Sequence, residues 1–449
     1  MIAPHSRWLE VALLLLAPAS SLLGTAYGQD SPWEKLYADA VKAHEQGQYA
    51  EAEKLSLATL EQARNFGPDH PRLAAALNQL GLVYRAQGKF TEAEPLYRQA
   101  LDIREKVLGP EHPEVAGSLN NLAVLYRAQG KYKEAEPLFA RALKIWQQSW
   151  GLEHPNVATG LNNLALLYKM QGKYAEAEGL YRQALAIREK TLGPEHPAVA
   201  TALNNLAVLF KAQGRYKEAE PLHRRALTMR EKALGPEHPD VAQSLGNLAD
   251  LYSDQRKRKE AESLYLRSLE IRQKALGPQH PETITTLDNL ATLYTAQRRY
   301  LEAEMLYRRT VAAWEKTLGP EHPEVGTNLN NLAMLYYAQA NYRDAEPLFQ
   351  RALAIREKAL GPEHFDVATS LNNLALVYQA QGKYADAEPL FQRALEILEK
   401  AAAPPPRVAA VLTNYAALLK KTGRATQAKK MKARAKTIRE RQVRENRRQ

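Results

Sequence analysis

The chain has 449 residues, 45% hydrophobic and 25% charged, the balance of a folded globular protein. It contains no cysteine, which excludes disulfides, thiol nucleophiles and thiolate metal sites. The net charge of +11 is local: residues 420–449 hold thirteen Lys/Arg against two Glu, and the body before them is neutral, so a high pI says little about what the body binds.

Residues 1–28 read as an export signal. Arg7 supplies the basic start, Val11 to Ala17 the apolar run, and Ala26-Tyr27-Gly28 a small-x-small cleavage site before Gln29. The apolar run is shorter than the roughly 20 residues a bilayer span requires. The expectation is a periplasmic or secreted protein; an uncleaved N-terminal anchor in the inner membrane is the alternative.

Residues 29–66 are expected to form a diverged capping helix pair, with Trp33, Leu36 and Ala40 on its first helix and GQYAEAE (47–53) opening its second. A strict period then begins. GPDHP stands at Gly67, GPEHP at 109, 193, 235 and 319, GLEHP at 151, GPQHP at 277 and GPEHF at 361, each 42 residues after the last. A period of this length signals a solenoid of eight stacked units over residues 67–402.

The unit from Gly109 to Trp150 shows the physics. Val115, Leu119, Leu122, Ala123, Leu125 and Tyr126 recur at helical spacing and predict a first helix, here called helix A. Gly130 ends it. Ala135, Leu138, Phe139, Ala142, Leu143, Ile145 and Trp146 predict a second, helix B. Neither can bury its stripe alone, so pairs must stack on pairs. GPEHP then reads as punctuation: Gly109 caps the preceding helix, Pro110 prevents its continuation, and Pro113 starts the next, where a missing N–H costs nothing. The eight histidines (His70, His112, His154, His196, His238, His280, His322 and His364) stand at or beside the N-cap. A row of metal sites is disfavoured, because each turn offers one His and at most one carboxylate, and successive pairs are displaced by about 8–10 Å. No metal and no cofactor are expected. Residues 403–449 predict a C-terminal capping pair with a basic tail, in which LTNYAALL (412–419) matches LNNLALVY (371–378). The expected fold class is all-α, a right-handed α-solenoid of about ten antiparallel helix pairs.

The columns Leu119, Leu122, Ala123, Tyr126 and Ala135, Phe139, Ala142 resemble the tetratricopeptide repeat. The 42-residue period and the wording LNNLALLY…QGKYAEAEGLYRQALAIREKTLGPEHP (161–197) resemble its kinesin-light-chain type. No heptad coiled coil precedes the repeats, so the resemblance carries the fold and the habit of binding peptides, not a motor role.

The resemblance implies a concave face lined by helix A. The second Asn of each LNNL then falls on the family's peptide-binding position: Asn121, Asn163, Asn205, Asn247, Asn289, Asn331 and Asn373, with Gln79 and Asn414 at the ends. Asn is a poor helix former, so the column has a reason. Two stay open: a primary amide that meets a ligand backbone, or a ladder that joins adjacent A helices. Six residues on, Arg85, Arg127, Lys169 and Lys211 make a cationic row, and Asp250 and Asp254 place acids at the centre. The expected function is a non-enzymatic scaffold that binds an acidic protein segment along this face. Binding of a polyanion or envelope surface through the basic C-terminal helix is the alternative. Nucleic acid is not expected, since the tail lacks the interleaved aromatics of a single-strand binder.

Overall fold

In the computed structural model, residues 32–401 and 405–448 are described. The expected signal at 1–28 lies outside them. The described residues form twenty helices and no strand, in ten antiparallel pairs. The first pair is α1 (Pro32–Glu45) and α2 (Tyr49–Arg64). The next four are α3 (Pro71–Ala86) with α4 (Phe90–Leu108), α5 (Pro113–Ala128) with α6 (Tyr132–Trp150), α7 (Pro155–Gln171) with α8 (Tyr174–Leu192), and α9 (Pro197–Ala212) with α10 (Tyr216–Leu234). Then come α11 (Pro239–Asp254) with α12 (Arg258–Leu276), α13 (Pro281–Ala296) with α14 (Tyr300–Leu318), α15 (Pro323–Ala338) with α16 (Tyr342–Leu360), and α17 (Phe365–Ala380) with α18 (Tyr384–Lys400). The chain closes with α19 (Pro405–Lys421) and α20 (Ala425–Arg448). No helix among the described residues is long and apolar enough to cross a membrane.

The junction between pairs is built as its sequence dictates. Gly109 adopts φ 87°, a conformation that an L side chain rarely takes, and so ends α4 cleanly. His112 is the N-cap of α5, its ring Nδ1 accepting the backbone N–H of Glu114 at 3.2 Å. All eight histidines do this, from His70 with the Arg72 amide to His364 with the Asp366 amide. An imidazole thus satisfies one of the four orphan N–H groups at each helix start, the task more often given to Ser or Asp.

Small residues set the spacing of the pairs. Ala93, Ala135, Ala177, Ala219, Ala261, Ala303, Ala345 and Ala387 are all wholly buried where helix B crosses its partner. Beside them lies a buried aromatic column that includes Tyr97, Phe139, Tyr181 and Phe349. Two polar fasteners join neighbouring pairs. Glu136 accepts from Tyr168 Oη, Gln171 Nε2 and Lys173 Nζ at 3.2–3.3 Å, and the motif recurs along the outside. Buried Arg230 and Arg356 reach from helix B to the next helix A, meeting Ser244 Oγ at 3.0 Å and Ser370 Oγ at 2.8 Å.

Candidate functional site

Helix A of one pair packs against helix A of the next, as α5 with α7 and α13 with α15, so the A helices form the inner wall. The first and second Asn of LNNL both face that wall. They also face each other between pairs. Asn121 Nδ2 donates to Asn78 Oδ1 at 2.7 Å, Asn163 to Asn120 at 2.9 Å, and Asn205 to Asn162 at 2.6 Å. Further on, Asn331 donates to Asp288 at 3.2 Å, Asn373 to Asn330 at 2.9 Å, and Asn414 to Asn372 at 2.9 Å. This is a ladder, one rung per junction. Asn163 is 0% exposed and Asn121 3%. A buried amide is costly unless hydrogen-bonded, and each rung gives one amide a partner for a donor and its neighbour a partner for its acceptor.

Two consecutive rungs are missing, and the sequence explains both. Asn204 should accept from Asn247. Instead its Oδ1 is taken by His223, whose Nδ1–H donates at 2.8 Å, while its Nδ2 donates to Ser244 at 3.2 Å. His223 occupies the aromatic column, where other pairs carry Tyr or Phe, and burial lowers its pKa to about 3, so it stays neutral. The next acceptor should sit at 246, which is glycine. Asn247 and Asn289 are therefore left half-buried on the inner wall, their side chains making no hydrogen bond among the described residues.

Charge changes sign around this gap. Lys211, with its side chain 15% exposed, lies 3.8 Å from Asp250 and 3.9 Å from Asp254. Asp250 also accepts the Tyr265 hydroxyl. Burial raises the Asp254 pKa, opposed by Lys211 and reinforced by Asp250. The cationic row seen in the sequence is thus neutralised at its fourth member. Arg85, Arg127 and Lys169 are partly buried along the first three repeats. Apolar Leu82, Val124 and Leu166 line the wall between them and the ladder. The structure accordingly brings the predicted residues onto one surface but divides them: Asn121, Asn163, Asn205, Asn331 and Asn373 are ladder members, and Asn247 and Asn289 are not. His223 and Gly246 are the residues that sequence reasoning passed over. Their signal was departure from two otherwise regular columns.

A solenoid of stacked helix pairs with a polar inner wall defines a protein-interaction scaffold. More narrowly, the chain belongs to the tetratricopeptide-repeat family, whose model matches residues 40–106, 73–148, 114–190, 156–232, 199–274, 240–315, 289–358 and 328–400. Among curated proteins none matches. Similar solved structures include BtubC (BKLC) from P. vanneervenii, 30% identical over 55% of this chain and 94% of that one, with a TM-score of 0.42. A kinesin light chain of P. anserina with nearly identical TPR-like repeats is 32% identical over 46% of this chain and 98% of its own, with a TM-score of 0.38. A Rap protein complexed with competence and sporulation factor shares the fold alone, at 15% identity over 83% of this chain and 99% of that one, with a TM-score of 0.53. The relatives of this chain are kinesin-light-chain-like tetratricopeptide proteins.

Proposed function

We propose that the chain is a non-enzymatic scaffold that binds an extended segment of a partner protein along its inner wall, anchored at the gap in the asparagine ladder. The observation that carries this reading is the pair Asn247 and Asn289, whose amides are half-buried and make no hydrogen bond with the described residues. A primary amide offers two donors and an acceptor, which suits a peptide backbone passing over it. Each second-column ladder asparagine already gives a donor to its neighbour. Acidic side chains of the segment would meet the cationic row of Arg85, Arg127 and Lys169, and Lys211 at its end stands beside Asp250 and Asp254. Charge-assisted contacts of this kind weaken as salt rises.

The test compares variants against a partner co-purified with the native protein. Asn247→Ala with Asn289→Ala should abolish binding and leave helical content unchanged. Arg127→Glu with Lys169→Glu should weaken it and remove its salt dependence. Lys429→Glu, Lys430→Glu and Lys432→Glu on α20 should leave it intact. Loss only with the α20 triple variant would replace this reading with the polyanion reading of the tail. Export through residues 1–28 belongs to the same proposal. Mass spectrometry of the native protein should place its start near Gln29, and an intact Met1 in a soluble cytoplasmic fraction would refute it.

A further inference from the structure

The coil of helix pairs returns onto itself. Ala86 and His322 are 236 residues apart, yet His322 Nε2 lies 3.3 Å from the Ala86 carbonyl oxygen. Since the Nδ1 of the same ring accepts from Glu324, Nε2 carries the proton and donates. Beside it, a Cβ built on Gly88 would stand 2.7 Å from Pro323 Cδ, closer than any side chain can approach. One pair earlier, Gly47 meets Pro281 in the same way at 3.0 Å, and one pair later Gly130 meets His364 at 3.0 Å and Phe365 at 3.1 Å. At a fourth place Pro405 comes to 3.6 Å from Gly172. The tight turns inside the early pairs therefore lie along the His-Pro junctions of the later pairs. Tyr132 and Phe365 close the contact with rings 5.9 Å apart, and one continuous apolar core includes residues from both turns of the coil, from Leu82 through Ala184 and from Phe365 through Ala435.

The sequence carries a separate mark of this seam. Every turn that faces it is glycine. Beyond the seam, where a Cβ on Gly214, Gly382 or Gly423 would meet nothing within 4 Å, glycine is kept at those three turns but not at the three between Gly214 and Gly382. Arg256, Arg298 and Ala340 take its place there, at φ 63°, 62° and 58°. These three accept the backbone strain of an L residue in the left-handed region, which is tolerable where no neighbour approaches. At Gly88 it would not be, because strain and collision would coincide.

We propose that this seam is a latch that closes the inner wall from the side, so that a partner segment reaches Asn247 and Asn289 along the axis of the coil or after the seam parts. This rests on the reading of the inner wall as the binding surface. The latch is the weaker of the two kinds of interface in the molecule. Neighbouring pairs are fastened by whole helix faces, the asparagine ladder and the glutamate clusters, whereas the seam joins the turns of one set of pairs to the helix starts of another, with Tyr132 and Phe365 as its apolar bridge. An edge contact can open while every helix pair stays folded, since opening spreads a small rotation over several junctions.

Asparagine tolerates the left-handed region better than other side chains, which gives a matched test. Gly88→Asn with Gly130→Asn carries a Cβ into the seam; Gly214→Asn with Gly382→Asn imposes the same backbone cost in open space. The chain has no cysteine, so spin labels can be placed at Lys131→Cys and Glu363→Cys alone. A short, narrow distance is expected in the otherwise unaltered protein and in the Gly214/Gly382 variant, and a longer, broad one in the Gly88/Gly130 variant. Equal distances in all three would overturn the proposal. The second measurement uses a fluorescent 20-residue Glu-rich peptide, either open-ended or blocked at both ends by streptavidin. The blocked peptide should associate at least about tenfold more slowly with the closed protein, and at the open peptide's rate with the Gly88/Gly130 variant. Equal rates for both peptides on the closed protein would also overturn it. If neither peptide binds any variant, the binding reading of the wall fails, and the label distances alone decide whether the seam exists.

Discussion

Asp288 replaces asparagine at one rung of the ladder, and it offers a quantitative test of how the inner wall is held together. It is 8% exposed and accepts from Asn331 Nδ2 at 3.2 Å. Burial raises its pKa from 3.8 to about 7, and the hydrogen bond from Asn331 pulls the other way. A folded-state pKa above the unfolded one means that folding favours the protonated form. The associated stability is fully present below pH 3.8 and is lost as the pH rises through 7. A shift of about three units corresponds to about 4 kcal/mol between those limits, taken as an upper bound. Asp288→Asn keeps the shape and the acceptor and removes the ionisation. Its gain over the parent should be about 1–2 kcal/mol at pH 5 and about 3–4 kcal/mol at pH 8. Urea unfolding followed by circular dichroism at the two pH values measures it, with hydrogen exchange of the α13 and α15 amides as the local readout, because repeat arrays do not always unfold as one unit. A gain that is the same at pH 5 and pH 8 would show that Asp288 is not held in the desolvated state that the ladder imposes.

Stability should be distributed along the coil. Leu206→Ala removes a side chain that is 2% exposed and should cost about 2–5 kcal/mol, whereas His196→Ala removes one N-cap hydrogen bond and should cost about 1 kcal/mol. Chemical denaturation separates the two, and a melting temperature that falls on adding EDTA would contradict the capping role of the histidines. The seam should loosen in acid. Burial holds the His322 pKa at about 4, so the closed state is favoured above pH 6.5 and loses up to about 3 kcal/mol as the pH falls through 4. His280, in the seam against Gly47, is shifted in the same direction by burial; Glu324, raised to about 8, opposes it. Label distances across the seam between pH 7 and pH 4 test this, and a distance that does not change over that range would refute it.

The fold was legible because each of its steps is local. Punctuation by Gly109, His112 and Pro113 acts within five residues, and the two helical stripes act within one unit. The ladder was legible only as a choice. Whether Asn121 meets a ligand or Asn78 depends on the register between two pairs, 43 residues apart in the chain, and no periodicity within one unit fixes it. The pairing of Lys211 with Asp250 and Asp254 has the same cause: both acids were visible, but the distance across the junction was not. The seam lies one level higher. It depends on small rotations accumulated over several pairs, so nothing in a single repeat announces it. Its traces are a set of exceptions: Phe365 in place of proline, its ring tilted against that of Tyr132, and Arg256, Arg298 and Ala340 in place of glycine.

Those exceptions suggest how a chain of nearly identical units acquires a particular site. Repetition favours the ladder, because every rung added pairs a buried donor with a buried acceptor. The proposed site keeps Asn247 and Asn289 out of the ladder, and each omitted rung forgoes one hydrogen bond. The cost can be tested by restoring the rungs. Gly246→Asn supplies the acceptor for Asn289, in a position where a Cβ has nothing nearer than Ser268 Oγ at 3.9 Å. His223→Phe gives the aromatic column the residue it carries at Phe139, Phe349 and Phe391 and frees Asn204 Oδ1 for Asn247. Each new rung should contribute about 1 kcal/mol, and glycine removal from the interior of α11 about half as much again. The double variant should therefore unfold at higher urea than its parent. It should also lose the partner, because Asn247 and Asn289 would turn to their neighbours as Asn163 and Asn205 do. A variant that gains stability and still binds would place the partner elsewhere on the coil. A variant that gains none would mean that Asn247 and Asn289 were never free, and the gap would not be a site.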